Sequence, residues 1–118
     1  MNKKIDLGKY GERKACEYLE KNKYKIIEKN FLCRQGEIDI IALSDTKELV
    51  FIEVKTRRNF KYGRPCEAVT PKKIKNIKYS SKYYIFKNNL NNIGVRYDVI
   101  EVIVLNSKFG INHIKNAF

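Results

Sequence analysis

The run VRYDVIEVIVL, from Val95 to Leu105, carries apolar side chains on both faces of an extended chain. Successive side chains of a strand point to opposite sides, so a strand with this pattern is covered on both faces. The rest of the chain must therefore supply two covering layers, and amphipathic helices are the usual ones. This run predicts a layered α/β fold.

Two segments have the residue spacing of such helices. The first runs from about Leu7 to Asn22, with Asp6 as its N-cap, and places Glu12 at the flank of its apolar stripe. The second begins after Thr70, another N-cap residue, and Lys73 lies at the edge of its apolar stripe. Each helix therefore brings one charged side chain close to the core.

Three strand-like runs lie between the helices: YKIIEKNFLC from Tyr24, EIDIIAL from Glu37 and ELVFIEVKT from Glu48. The short SDTK segment between the last two predicts a hairpin, and hence antiparallel neighbours. The order αβββαβ then predicts an α/β fold with one mixed sheet flanked by helices. A chain of 118 residues without a linker is expected to form a single domain over residues 1–118.

The net charge of +12 indicates the kind of partner. A surface this basic attracts polyanions, and nucleic acid is the first candidate, although a solvated lysine-rich surface would give the same total. Cys16, Cys33 and Cys66 form no CxxC pair, which favours free thiols in a reducing compartment. No run approaches the roughly 20 apolar residues of a membrane span, so we expect a cytoplasmic protein with no membrane partner.

Acidic and basic side chains share one face of two neighbouring strands. By alternation, Glu53 and Lys55 lie on the same face, and a register that sets Asp39 opposite Glu53 would bring the two carboxylates together. Close carboxylates repel each other unless a cation lies between them, and hard oxygen ligands suit Mg²⁺ or Mn²⁺. Lys55 would then orient an attacking water, and Glu12 could add a carboxylate.

Simpler explanations of the same residues remain open. Glu53 and Lys55 alone are typical of a half-exposed strand or of a weak ion pair between strands. Glu37 is either a third site carboxylate or a residue that holds the start of its strand. The additional acids on the first helix and the preceding strand are what favour a metal site acting on a phosphodiester.

Several stretches, taken in order, resemble one known family: GERKACEYL, GEIDIIA, VFIEVKTRR, YGRPCEAV, the helix containing Lys73, and RYDV. They resemble the YraN-type family of small bacterial proteins, and the similarity runs from about Gly8 to Val104. That family is assigned to the restriction-endonuclease-like fold, within the PD-(D/E)xK nuclease superfamily. The superfamily includes archaeal Holliday-junction resolvases, which are similar in size to this chain.

The resemblance implies a role for each matching residue. Asp39 and Glu53 correspond to the two metal-binding acids, Lys55 to the catalytic lysine and Glu12 to the acid on the first helix. Lys73 matches a basic position that meets the scissile phosphate. The sequence departs from the superfamily at one motif position, where Ile38 replaces the proline before Asp39.

A basic loop follows the strand that carries Glu53, and its four basic residues are candidates for guiding phosphates to the site: Arg57, Arg58, Lys61 and Arg64. The resemblance leaves Arg57 equally suited to a phosphate contact or a structural ion pair.

Four further polar or aromatic residues are not assigned to the catalytic site. His113, the only histidine, is interpreted as a surface residue. Arg96 and Asp98, which share one face of their strand, are interpreted as structural residues that pair with each other's neighbours. Tyr79, among the lysines of the second helix, is the aromatic residue most suited to contact nucleic acid.

These inferences predict a Mg²⁺-dependent endonuclease that hydrolyses phosphodiester bonds in DNA. By analogy with the resolvases, branched or structured DNA is the expected substrate, and a homodimer is compatible with the resemblance. The main alternative is a nucleic-acid-binding module without catalysis, in DNA repair or RNA processing. A protein-interaction subunit is a third.

Overall fold

The computed structural model describes residues 6–58 and 69–118. Within these ranges two helices and five strands follow one another: α1 Leu7–Lys21, β1 Lys25–Cys33, β2 Gly36–Leu43, β3 Leu49–Arg57, α2 Pro71–Lys87, β4 Val95–Leu105 and β5 Lys108–Ile114. The predicted order αβββαβ is confirmed, and β5 extends it. Among the described residues, neither helix has the length and apolar character needed to cross a membrane.

The five strands form one mixed sheet in the spatial order β1-β2-β3-β4-β5. Strands β2 and β3 pair antiparallel, as the short SDTK connection predicts, and β1 also pairs antiparallel with β2. Strand β4 pairs parallel to β3 and antiparallel to β5. Because parallel neighbours need a crossover connection, α2 lies between β3 and β4 in sequence and packs on a face of the sheet.

Helix α1 packs closely on β3 through a glycine. The Asp6 carboxylate accepts a hydrogen bond from the Lys9 backbone N–H at 3.2 Å and caps the helix, as predicted. A Cβ atom at Gly11 would lie only 1.7 Å from Thr56 Oγ1. The absence of a side chain at Gly11 therefore sets the distance between α1 and the sheet. The core on this side contains Ala15, Leu19, Ile40, Ala42, Val50, Ile52, Ile100 and Val102.

Helix α2 covers the opposite face. Thr70 Oγ1 accepts from the Lys73 backbone N–H at 3.2 Å, which confirms it as the N-cap. The core here contains Phe31, Ile38, Ile41, Leu49, Phe51, Ile77 and Tyr84. Side chains alternate along β3, so Phe51 and Glu53 share the face that α2 covers. This alternation places the charged end of β3 next to the beginning of α2.

Strand β5 is absent from the sequence-based prediction. Its sequence, KFGINHI, is mostly exposed or half-buried, because it forms one edge of the sheet. Asn106 and Ser107 join it to β4 with φ angles of 46° and 67°, as in a type I′ hairpin turn. The usual Asn-Gly signal for this turn is missing, and the alternation of apolar residues in the strand is weak.

The surface interpretation of His113 is wrong, because β5 carries this side chain inward, where it is 4% exposed. Its Nε2 donates to the fully buried Asp98 carboxylate at 2.6 Å, and Nδ1 lies 3.0 Å from the Tyr18 hydroxyl. The sequence lacks a partner for His113 at any motif spacing, since Asp98 belongs to the neighbouring strand. His113 thus joins β5, β4 and α1.

The structural interpretation of Arg96 and Asp98 is confirmed. Arg96 Nη2 donates to Asp98 at 2.9 Å and to the Tyr24 hydroxyl at 2.5 Å. Burial raises the pKa of Asp98, but the hydrogen bonds from His113 and Arg96 outweigh this effect and leave the pKa below its ordinary value. The carboxylate therefore stays ionised inside the protein, with its charge compensated.

Cys16 and Cys33 are free thiols, as predicted. Cys66 lies outside the described residues, as do Lys61 and Arg64 of the basic loop.

Candidate functional site

Asp39 lies where the pairing between β2 and β3 ends. The paired register includes Ile40 opposite Ile52, and one further step in the same register sets Asp39 across from Glu53. At that step the side chain of Asp39, instead of its backbone, makes the hydrogen bond to β3. Its Oδ2 accepts the backbone N–H of Val54 at 2.8 Å. This hydrogen bond fixes the carboxylate against β3.

Three carboxylates converge at this point, and we call Glu12, Glu37 and Asp39 the carboxylate cluster. Each offers an oxygen, and these oxygens lie within 4.8 Å of one another. Glu12 comes from α1, held close to the sheet by Gly11, whereas Glu37 and Asp39 come from β2. The cluster thus brings the predicted Glu12 and Asp39 together with Glu37.

An asparagine links two members of the cluster. With its amide nitrogen directed at the carboxylates, Asn30 donates to Glu37 Oε1 at 3.0 Å and to Glu12 Oε1 at 3.3 Å. Asn30 has a φ of 54°, a left-handed conformation that Asn tolerates better than most residues. Sequence analysis missed it, because an Asn within an apolar strand run is indistinguishable from an exposed strand residue.

The negative charges of the carboxylate cluster are poorly compensated when all three carboxylates are ionised. Burial, followed by the charge of Glu53, raises the pKa of Asp39 to about 7. The hydrogen bond from Val54 lowers this pKa but does not offset the other effects. Burial also raises the pKa of Glu12. A cation bound among these oxygens would relieve the repulsion.

Glu53 has different partners. Its side chain is 5% exposed, and its Oε1 lies 2.6 Å from Lys73 Nζ and 3.4 Å from Lys55 Nζ. We call Lys55 and Lys73 the lysine pair. The structure therefore places two ammonium groups on Glu53, the residue that the sequence assigns as the second metal ligand.

The two lysines differ in their electrostatic environment. Burial, and then the neighbouring Lys73, lower the pKa of Lys55. Burial also tends to lower the pKa of Lys73, but its hydrogen bond to Glu53 outweighs that effect and leaves the pKa raised. Lys73 is the more exposed of the two, at 41% against 19%. Lys73 is thus a firmly charged group at the mouth of the site, and Lys55 lies deeper.

Two of the remaining basic candidates, Arg57 and Arg58, lie at the end of β3. Arg57 is half-buried, and among the described residues its Nε has no hydrogen-bond partner. Arg58 is exposed. Lys61 and Arg64 lie outside the described residues.

The sequence is similar to a group of proteins from several bacteria. The family model described as "Uncharacterised protein family UPF0102" matches residues 11–102. A UPF0102 protein of Clostridioides difficile strain 630 is 52% identical over 118 residues, which is 100% of both chains. One of Caldicellulosiruptor saccharolyticus is 46% identical over 120 residues, again 100% of both. One of Clostridium botulinum strain Alaska E43 is 50% identical over 115 residues, 96% of this chain and 93% of the relative.

The matched range contains the carboxylate cluster, the lysine pair, Glu53 and Asn30. It thus includes all the residues from which the site has been built, and it begins at Gly11, the position that brings α1 against the sheet.

Proposed function

This chain belongs to the UPF0102 family, and we propose that it is a divalent-metal-dependent nuclease that hydrolyses phosphodiester bonds in DNA. The observation that carries the proposal is the convergence of three carboxylates within 4.8 Å beside a lysine pair. Nucleases that use metal ions need both an acidic ligand set and cationic groups for the phosphate. The net charge of +12 supports a polyanionic substrate.

The donor atoms of the carboxylate cluster suit a hard divalent cation. Carboxylate oxygens are preferred by Mg²⁺ and Mn²⁺, and the site contains neither thiol nor imidazole among its described residues. The raised pKa of Asp39, about 7, also fits a site that gains from an added positive charge. Glu12, Glu37 and Asp39 would hold the ion, and Glu53 is a further candidate ligand. A bound Mg²⁺ would polarise a phosphoryl oxygen and lower the pKa of a water.

The protein side chains supply the other functions. Lys73, charged and partly exposed, would bind the phosphate that is cleaved. Lys55, whose pKa is lowered, would orient the attacking water and balance negative charge that develops on phosphorus. Glu53 would hold both ammonium groups in position through one carboxylate oxygen. Asn30 would fix the spacing of Glu12 and Glu37.

The type of DNA is proposed by analogy with the nuclease superfamily that the sequence resembles. Archaeal Holliday-junction resolvases act on branched DNA, so branched or otherwise structured DNA is the proposed substrate, with a homodimer as the proposed assembly. Arg57 and Arg58 lie at the end of β3, where they could contact phosphates beyond the scissile one.

A cleavage assay tests the proposal. Linear, flap, splayed and four-way DNA would be incubated with Mg²⁺, Mn²⁺ or EDTA, using wild type, Asp39→Ala, Glu12→Ala and Lys55→Ala. We expect metal-dependent cleavage that each substitution reduces at least about 100-fold. Glu17→Ala is the matched control, since Glu17 is an exposed acid on the same helix. Metal-independent cleavage, or cleavage that tolerates all three substitutions, would contradict the site.

A binding module without catalysis is the second candidate, and one observation favours it. Glu53 is already neutralised by Lys73 and Lys55, so the site has a stable arrangement without any ion at this residue. In that case DNA binding should survive Asp39→Ala and should not require Mg²⁺. Binding of this kind, with no cleavage of any substrate, would favour the module over the nuclease.

A further inference from the structure

A groove of about 390 Å³ lies between α2 and the turn that joins β1 to β2. Its lining combines aromatic, apolar and basic side chains, including Leu32, Arg34, Gln35, Tyr79, Tyr83 and Lys87. Neither the carboxylate cluster nor the lysine pair contributes to it. The groove therefore requires a separate explanation.

The groove presents aromatic rings to solvent. Tyr79 is 55% exposed and Tyr83 is 46% exposed, and their spacing of four residues puts them on the same side of α2. Tyr83 stacks on Phe31, with ring centroids 6.3 Å apart and an angle of 27° between the rings. Phe31 is buried, so it supports one face of the Tyr83 ring while the groove borders the tyrosine.

A neighbouring depression shares one residue with the groove and borders the candidate active site. This second depression of about 310 Å³ is lined by Gln35, Glu37 and Lys73, among other residues. Gln35 lines both depressions, Glu37 belongs to the carboxylate cluster and Lys73 to the lysine pair. A chain lying along the groove would therefore reach the carboxylates and Lys73 without leaving the surface.

The charge along this path fits a polyanion. Helix α2 contains neither Asp nor Glu. Arg34 and Lys87 line the groove itself, and Lys72 and Lys73 line the second depression. Cations beside exposed tyrosines are the combination that binds single-stranded nucleic acid, since bases stack on the rings and phosphates pair with the cationic groups.

We propose that the groove binds an unpaired single-stranded DNA segment next to the scissile phosphate, with bases stacked on Tyr79 and Tyr83. The substrate would then be duplex DNA with a single-stranded arm, such as a splayed or flap structure. This arm would run from the tyrosines past Gln35 to Lys73. The cleavage part of the inference rests on the proposed nuclease function, whereas the binding part does not.

Binding in EDTA tests the groove without any cleavage. The affinities of a fluorescein-labelled single strand and of a blunt duplex of the same length would be measured by fluorescence anisotropy. We expect Tyr79→Ala combined with Tyr83→Ala to weaken single-strand binding about tenfold or more, with a smaller effect on the duplex. Tyr79→Phe should keep the affinity, because stacking needs the ring and not the hydroxyl.

Matched variants separate stacking from loss of structure. Phe109→Ala removes a ring of similar exposure, 45%, from β5 at the other edge of the sheet, and should leave binding unchanged. Tyr79→Ala alone removes a largely exposed ring and should weaken single-strand binding without lowering the thermal midpoint of unfolding. Unchanged single-strand affinity, or an equal loss on the duplex, would overturn the proposal.

Cleavage then distinguishes this inference from the proposed function. If the chain is a nuclease and the groove binds the arm, the tyrosine variants should lose cleavage of splayed DNA. If they cut splayed DNA at the wild-type rate, the groove proposal fails while the nuclease stands. If no DNA is cut but the tyrosine variants lose single-strand binding in EDTA, the nuclease fails while the groove proposal stands.

Discussion

The ammonium nitrogen of Lys73 lies 2.6 Å from a carboxylate oxygen of Glu53, although the two residues belong to different elements, α2 and β3. Because Glu53 is 5% exposed and Lys73 is 41% exposed, this ion pair connects the interior of the sheet to its surface. A hydrogen-bonded pair to a buried carboxylate is stronger than an exposed one. The contact therefore fixes the beginning of α2 beside the carboxylate cluster.

Glu53→Gln tests whether Glu53 positions the lysines or binds the metal. If it positions them, the substitution should lower metal-dependent cleavage about 10- to 100-fold and leave Mn²⁺ affinity nearly unchanged. Glu12→Gln should weaken Mn²⁺ binding, because Glu12 belongs to the cluster. Titration calorimetry with Mn²⁺ measures the affinities. An equal loss of affinity in both variants would assign Glu53 to the metal.

Asp39→Asn should stabilise the protein in the absence of metal at neutral and alkaline pH. The pKa of Asp39 is raised from 3.8 to about 7, so the folded state holds its proton more tightly than the unfolded chain does. The ionisation of Asp39 therefore lowers the free energy of unfolding as pH rises from about 4 to about 7. The Asn variant should gain on the order of 1 kcal/mol in free energy of unfolding at pH 8.

Urea denaturation at pH 5 and pH 8, with EDTA present, checks this pH dependence. Asp45→Asn is the control, because Asp45 is an exposed acid in the turn before β3. Added Mn²⁺ should stabilise wild type and not Asp39→Asn, since only the folded wild type would bind it. An equal gain in the free energy of unfolding at pH 5 and pH 8 would contradict the raised pKa of Asp39.

Gly11→Ala should destabilise the protein and impair the site together. The new Cβ would lie 1.7 Å from Thr56 Oγ1 and 2.7 Å from Thr56 Cβ, so α1 must move away from β3. We expect a loss of about 1–3 kcal/mol in free energy of unfolding, as for other overpacked positions. Glu12, the next residue, would move with the helix, and Mn²⁺ affinity should fall.

Gly8→Ala is the matched control on the same helix. Its Cβ would make an ordinary contact, 3.4 Å from Asp6 Oδ1, and alanine is the better helix former. This variant should be as stable as wild type or more so. Thr56→Gly should partly rescue Gly11→Ala, because it removes the atoms that collide. Thermal unfolding of the single variants and the double variant measures the coupling energy between positions 11 and 56.

Asp98→Asn should cost about 2–4 kcal/mol at pH 7, because it removes the buried carboxylate that pairs with Arg96 and leaves only the more exposed Glu48, at 3.1 Å, as an anionic partner. The pKa of Asp98 is lowered from 3.8 in the folded state. The ionised carboxylate therefore contributes fully to the free energy of unfolding above pH 3.8, and this contribution is lost as the pH falls through the pKa of the folded state. The difference between wild type and variant should therefore shrink below about pH 4. Urea denaturation between pH 3 and pH 7 measures it, and a constant difference would contradict the assignment.

Local sequence patterns were sufficient to predict α1, α2 and the hairpin between β2 and β3. The caps Asp6 and Thr70, and the flank position of Glu12, follow from helical spacing alone. Period-2 alternation likewise predicts that Glu53 and Lys55 share a face, and the structure confirms it through their contact at 3.4 Å.

The parts that escaped prediction depend on contacts between distant segments. His113 meets Asp98 because β5 folds back on β4, and no spacing in the sequence encodes that approach. Asn30 joins Glu12 and Glu37 because β1 lies beside β2 and beneath α1. Strand β5 itself is mostly exposed, so its composition differs little from that of a loop.

The order in which the chain can fold follows from the way the sheet is connected. Strands β1 to β3 pair with sequence neighbours, whereas the parallel pairing of Glu53 with Val99 closes a much longer loop. Nearby pairings form faster than distant ones. We expect the segment from Glu12 to Asp39 to gather its acids before α2 delivers Lys73, so that pulse-labelled hydrogen exchange during refolding protects β2 earlier than β4. A folding chain would then pass through a stage in which the carboxylates are already close together while the ammonium group of Lys73 is not yet beside them.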